Sequence, residues 1–101
     1  MTELIFEELP VRENEHRFVV GFRMCKRKNW KYRYVMLHHI TNPAHEEYGN
    51  WIIMTQGHEY EYFEFKEEGK QRVKELLEQK RQEFITGKRN WWTGKLIGGA
   101  E

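Results

Sequence analysis

The stretch from Arg17 to Ile40 crowds cations among aromatic rings. Arg23, Arg27, Lys28, Lys31 and Arg33 are interleaved with Trp30, Tyr32 and Tyr34. Guanidinium and ammonium groups neutralise phosphates, and aromatic rings stack on unpaired bases, so this combination suits a nucleic-acid backbone or a single strand. A second group is imidazole-rich: four of the five histidines fall between His38 and His58. Neutral imidazoles hold divalent metals and act as general bases near neutral pH. A third group is the adjacent pair Trp91-Trp92 near the C-terminus. On an extended segment neighbouring side chains point to opposite sides, so one ring is expected to pack on its own domain and the other to meet a second chain.

The string His38-His39-Ile40, then Pro43, then Asn50 before an apolar strand and His58, resembles the HNH nuclease motif. That resemblance implies one divalent metal as cofactor. His39 would be the general base that activates water, Asn50 would orient it, and His38 and His58 would hold the metal. Other catalytic templates are missing. Cys25 has no base near it in sequence, the Glu7-Glu8, Glu46-Glu47 and Glu67-Glu68 pairs do not face each other on a strand or helix, and the glycines form no phosphate loop.

These groups need elements to carry them. Leu4-Ile5-Phe6 is a short apolar piece ended by Pro10. From Arg17 to Lys26, Phe18, Val20, Phe22 and Met24 alternate with Arg17, Val19, Gly21, Arg23 and Cys25, the period of a strand. From Trp30 to Ile40, Trp30, Tyr32, Tyr34 and Met36 alternate with Lys31, Arg33, Val35 and Leu37. Joining the two by a three-residue Arg27-Lys28-Asn29 loop opposes Met24 to Tyr32 and Phe22 to Tyr34. The aromatics are then core, and Arg17, Arg23, Lys31 and Arg33 share the other face. Asn42 to Asn50 reads as a loop, Trp51 to Thr55 as a central strand covered on both faces, and His58 to Phe65 as a bulged strand. From about Glu67 to Phe84, Val73, Leu76, Leu77 and Phe84 form one stripe of an amphipathic helix that Thr86-Gly87 ends.

The expected fold is α+β: an antiparallel sheet of four or five strands followed by one long C-terminal amphipathic helix packed on one face. Residues 1–87 make a single domain and 88–101 a Trp-containing tail. In shape, strands followed by a helix resemble small single-strand-binding modules of the transcriptional-coactivator and WGR types.

With 101 residues, 17 Lys+Arg against 16 Asp+Glu and a net charge of +1, the chain is one small domain whose basic function must be local. A lone cysteine excludes an internal disulfide, and no apolar run is long enough to span a membrane. The start MTELIFEEL lacks signal-peptide features, so the expected compartment is the cytoplasm, and the compact length suggests a bacterial or phage origin. The leading expectation is a non-enzymatic binding module without a cofactor. It takes nucleic acid through Arg23, Arg27, Lys28, Lys31 and Arg33. The alternatives are a homodimer or inhibitor of a host enzyme that uses Trp91 and Trp92, and a metal-dependent nuclease that uses His38, His39, Asn50 and His58.

Overall fold

Alternating apolar and polar residues from Arg17 onward form the two long strands on which the molecule is built. The computed structural model describes residues 3–55 and 59–97. Its strands are β1 (Ile5–Glu8), β2 (Arg12–Asn14), β3 (Arg17–Lys26), β4 (Asn29–His39), β5 (Trp51–Met54) and β6 (Glu61–Phe63), and one helix follows, α1 (Lys66–Ile85). All neighbours pair antiparallel in the order β1-β3-β4-β5-β6, and β2 pairs with β3 beyond β1. This is the α+β arrangement that the sequence predicts, with the three-residue β2 as an addition at the edge. Pro10 falls between β1 and β2, where its missing N–H leaves no ladder bond unmade. The expected strand over 58–65 is confined to β6, and His58 lies outside the described residues.

Helix α1 packs on one face only. Val73, Leu76 and Phe84 meet Phe18, Val20, Phe22 and Met24 of β3, Val35 and Leu37 of β4, and Trp51 and Ile53 of β5. Gly69 lets the helix lie close to β4, since a Cβ there would sit 2.6 Å from a Leu37 methyl. Glu67 and Glu68 occupy the first turn, where negative charge suits the helix dipole. Gly87, at φ +77°, takes the left-handed conformation that turns the chain out of the helix.

The β3–β4 hairpin corrects the expected register. Its loop is two residues, Arg27-Lys28, flanked by the pair Lys26 and Asn29. Both loop residues have positive φ, +52° and +67°, the mirror-type turn whose twist matches the strands. Phe22 therefore opposes Arg33 and Met24 opposes Lys31, while Val20 opposes Val35 and Phe18 opposes Leu37. A shift of one residue exchanges the two faces of β4. Burial explains which register wins. Val35 and Leu37 are wholly apolar and lose all exposure beneath the helix. Tyr and Trp keep a polar end that tolerates a half-open face. The register also corrects β5: Ile52 and Met54 face away from the helix, so only one of its faces is covered.

Candidate nucleic-acid interface

The face turned away from α1 carries the aromatic residues of β4. Trp30, Tyr32 and Tyr34 are each between 41 and 46% exposed, and Tyr62 of β6 extends the same face across β5. The rings of Tyr32 and Tyr34 are parallel within 6°, with centroids 6.5 Å apart. Gly21 is what admits this arrangement. A Cβ there would lie 2.6 Å from the Tyr34 ring and 2.8 Å from the Arg33 carbonyl oxygen.

Three arginines share this face. Arg23 is already engaged: it donates to the Glu7 carboxylate at 2.7 Å and its guanidinium lies 4.2 Å over the Trp30 ring. The bond to Glu7, and a weaker one to Tyr32, raise its pKa above the ordinary guanidinium value. Arg12 and Arg17 are exposed and form no ion pair among the described residues. With Glu13, Asn14, Val19, Tyr34 and Met36 they line a shallow groove of about 340 Å³. The groove thus holds two arginines and a tyrosine, and its one carboxylate, Glu13, is ion-paired to Lys66 and Lys70.

The five cations that the sequence singles out do not form one patch. Arg23 is on the open face, Arg27 and Lys28 make the turn, and Lys31 and Arg33 point to the helix side. There the C-terminal tail claims both of them. Arg33 donates from one Nη to the carbonyls of Trp91 and Trp92, each at 3.2 Å, and stands 5.6 Å from the Phe84 ring. Burial pushes its pKa down from the ordinary value. The Lys31 ammonium sits 4.0 Å over the Trp92 ring. The tail itself is held by an Arg89–Leu96 bridge and by the Arg89–Glu83 ion pair at 2.8 Å. Trp91 packs on the cluster of Phe22, Met24 and Phe84, whereas Trp92 remains half exposed.

The histidines divide between the two faces. His38 opposes Arg17 on the open face, where burial first and the Arg17 charge second lower its pKa and favour the neutral imidazole. His39 points to the helix side and stacks on Trp51 at 4.4 Å. Asn50 donates to Glu47 at 2.8 Å rather than to His39. His38, His39 and Asn50 therefore do not converge, and no cluster of three or more metal-ligating side chains occurs among the described residues. His16 stands outside the motif, yet its Nδ1 lies 2.9 Å from that of His39.

Sequence reasoning missed Arg12 as a site residue and left Arg17 outside the site. The pairing of β2 with β3 brings Arg12 to this face, and the β3–β4 register sets Arg17 there, opposite His38. No helix of the described chain is long and apolar enough to cross a membrane. No family model, no curated protein and no solved structure matches this chain.

Proposed function

We propose that the open sheet face binds single-stranded nucleic acid, with the sugar-phosphate backbone at Arg12 and Arg17 and bases stacked on Tyr34 and Tyr32. One observation carries this reading: arginines without an ion pair and half-exposed parallel tyrosines share a face that no other element covers among the described residues. The site differs from the basic hairpin that the sequence suggests, since Lys31 and Arg33 are engaged by the tail. A single strand fits better than a duplex, because rings standing in the middle of a sheet reach only bases that are free to unstack. Stacking accepts any base, so the expected preference is for strandedness over sequence.

The test is fluorescence anisotropy with a labelled oligonucleotide of about ten nucleotides, within the span that small single-strand modules cover. Each base–aromatic stack is worth about 1–3 kcal/mol, so Tyr34→Leu is expected to weaken binding by roughly 5- to 150-fold. Arg12→Ala with Arg17→Ala is expected to reduce the slope of log affinity against log salt by about 1.4, the value for two phosphate contacts on a single strand. No binding at low salt, or affinity unchanged in both variants, overturns the proposal. A dimer by light scattering that Tyr34→Leu dissolves would instead assign the face to a second copy of the chain.

A further inference from the structure

We propose that His16 and His39 form a two-nitrogen chelate for a divalent transition-metal ion of the zinc, nickel or copper class. The pair lies off the nucleic-acid face and joins His39 of the histidine motif to His16, which stands outside it. Its Nδ1 atoms are 2.9 Å apart. Two imidazole nitrogens each about 2.0–2.1 Å from one ion, at angles between square and tetrahedral, lie about 2.9–3.4 Å from each other. The observed gap lies at the short end of that range, with the rings meeting nearly head-on, so a shared ion is reached by turning the exposed His16 ring off the N–N line.

The surroundings fix the His39 ring in place and hold the His16 backbone beside it. The His39 amide donates to the His16 carbonyl at 2.9 Å, which ties the two residues together through the backbone. The His39 ring is stacked on Trp51, at 4.4 Å, itself a core residue, and meets the His16 ring edge to edge, with centroids 5.1 Å apart. His39 Nε2–H donates to the Gly49 carbonyl at 3.1 Å. A neutral imidazole with its proton on Nε2 presents a lone pair at Nδ1, and a carbonyl holding the far N–H is the usual outer partner of a metal-ligating histidine.

In the absence of an ion, the gap is filled by a hydrogen bond in which His16 Nδ1–H donates to His39 Nδ1. His16 Nε2 has no protein partner among the described residues. Moving the His16 proton to Nε2, where the N–H faces water, frees the second lone pair; the hydrogen bond to His39 is given up and two metal–nitrogen bonds take its place. Imidazole donors select zinc, nickel and copper over magnesium and calcium. The pair borders an open bowl also lined by Asn14, Glu15 and Thr41, so water and these oxygens are at hand for the remaining positions. Arg17 lines the same bowl and opposes a cation. With two fixed ligands, the site binds more weakly than a closed four-ligand zinc centre.

The experiment is calorimetric titration of the full chain with zinc and nickel ions, alongside melting curves with and without zinc. Loss of an outer partner of a ligand typically costs about 10–100-fold in affinity, so loss of a ligand is expected to cost at least that. The expected result is one saturable equivalent, weakened at least about tenfold by His16→Ala and unchanged by His45→Ala, with a zinc-induced rise in melting temperature that His16→Ala abolishes. His16 is exposed, so its variant keeps the fold, whereas His39→Ala also removes the stack on Trp51. Zinc binding that is equal in His16→Ala, that disappears with His45→Ala, or that never saturates overturns the proposal. None of these results depends on whether the sheet face takes nucleic acid.

Discussion

Arg33 separates the two roles that a cation can have in this fold, and its replacement is the sharpest test of how the tail is held. One Nη donates to the Trp91 and Trp92 carbonyls, both at 3.2 Å, and the guanidinium carbon stands 5.6 Å from the Phe84 ring centroid. Hydrogen bonds from a charged donor contribute about 1.5–3 kcal/mol when well formed. These two are long and share one nitrogen, so the lower figure, about 1.5 kcal/mol for the pair, is appropriate. The truncation to Ala also removes the stem packing, worth roughly 1 kcal/mol for a part-buried aliphatic chain. Against this, Arg33 Nε is buried with no partner, and burial of the guanidinium opposes its charge. Relief of that cost offsets about 1 kcal/mol. The net expectation for Arg33→Ala is a loss of about 1–2 kcal/mol, or a fall in Tm on the order of 4–16 °C for a domain of this size. Arg33→Met keeps the stem and discards the unpaired nitrogen, so it is expected to lie within about 0.5 kcal/mol of the parent. Urea denaturation followed by circular dichroism measures both variants, and tryptophan emission reports Trp91 and Trp92 leaving the protein surface. Equal stability of Arg33→Ala and parent, with unchanged emission, refutes the account of the tail. A folded Arg33→Met that loses more than about threefold in oligonucleotide affinity would return Arg33 to the phosphate contacts.

Three further outcomes follow from particular residues. Gly21→Ala sets a methyl 2.6 Å from the Tyr34 ring and 2.8 Å from a backbone oxygen, and the oxygen has little freedom to retreat. It is expected to cost about 1–3 kcal/mol in chemical denaturation, and a neutral result means that Tyr34 is not seated over β3. Arg27→Asn with Lys28→Gly supplies the residues preferred where φ is positive at both turn positions, with an expected gain of about 1 kcal/mol by thermal melting. A loss of stability there indicates a different turn and, with it, a different register. Glu13 joins β2 to α1 through Lys70 and Lys66, and hydrogen bonds from these lysines hold its pKa below the usual 4.5. A depressed carboxylate pKa adds stability that is present above the unfolded value and is lost as pH falls through the folded one. Glu13→Gln is therefore expected to flatten the loss of stability below about pH 4.5. Identical acid profiles for variant and parent refute that link.

Within each strand and along the helix, the sequence by itself determined which residues share a side. The alternation of Phe18, Val20, Phe22 and Met24, that of Trp30, Tyr32, Tyr34 and Met36, and the stripe of Val73, Leu76 and Phe84 are set by backbone periods of two and 3.6 residues, which need no partner to be read. The α+β class, the Gly87 stop and the position of α1 followed from these local signals. Only the tertiary structure decided which side of β4 meets the core. Both sides of β4 are mixed, one aromatic and one part aliphatic and part cationic, and the turn residues Arg27 and Lys28 carry no glycine or asparagine to announce a two-residue loop. The choice rests on Val35 and Leu37 losing all exposure beneath a helix that begins 29 residues after Leu37, at Lys66, and on a tail that receives Arg33 and Lys31. The site moved with that choice. Arg12 comes to line a groove with Tyr34 because β2 pairs with β3, Arg17 because of the β3–β4 register, and His16 meets His39 because the turn after β2 returns to the end of β4. Contacts of this kind join segments whose separation along the chain has no period, so no local pattern encodes them.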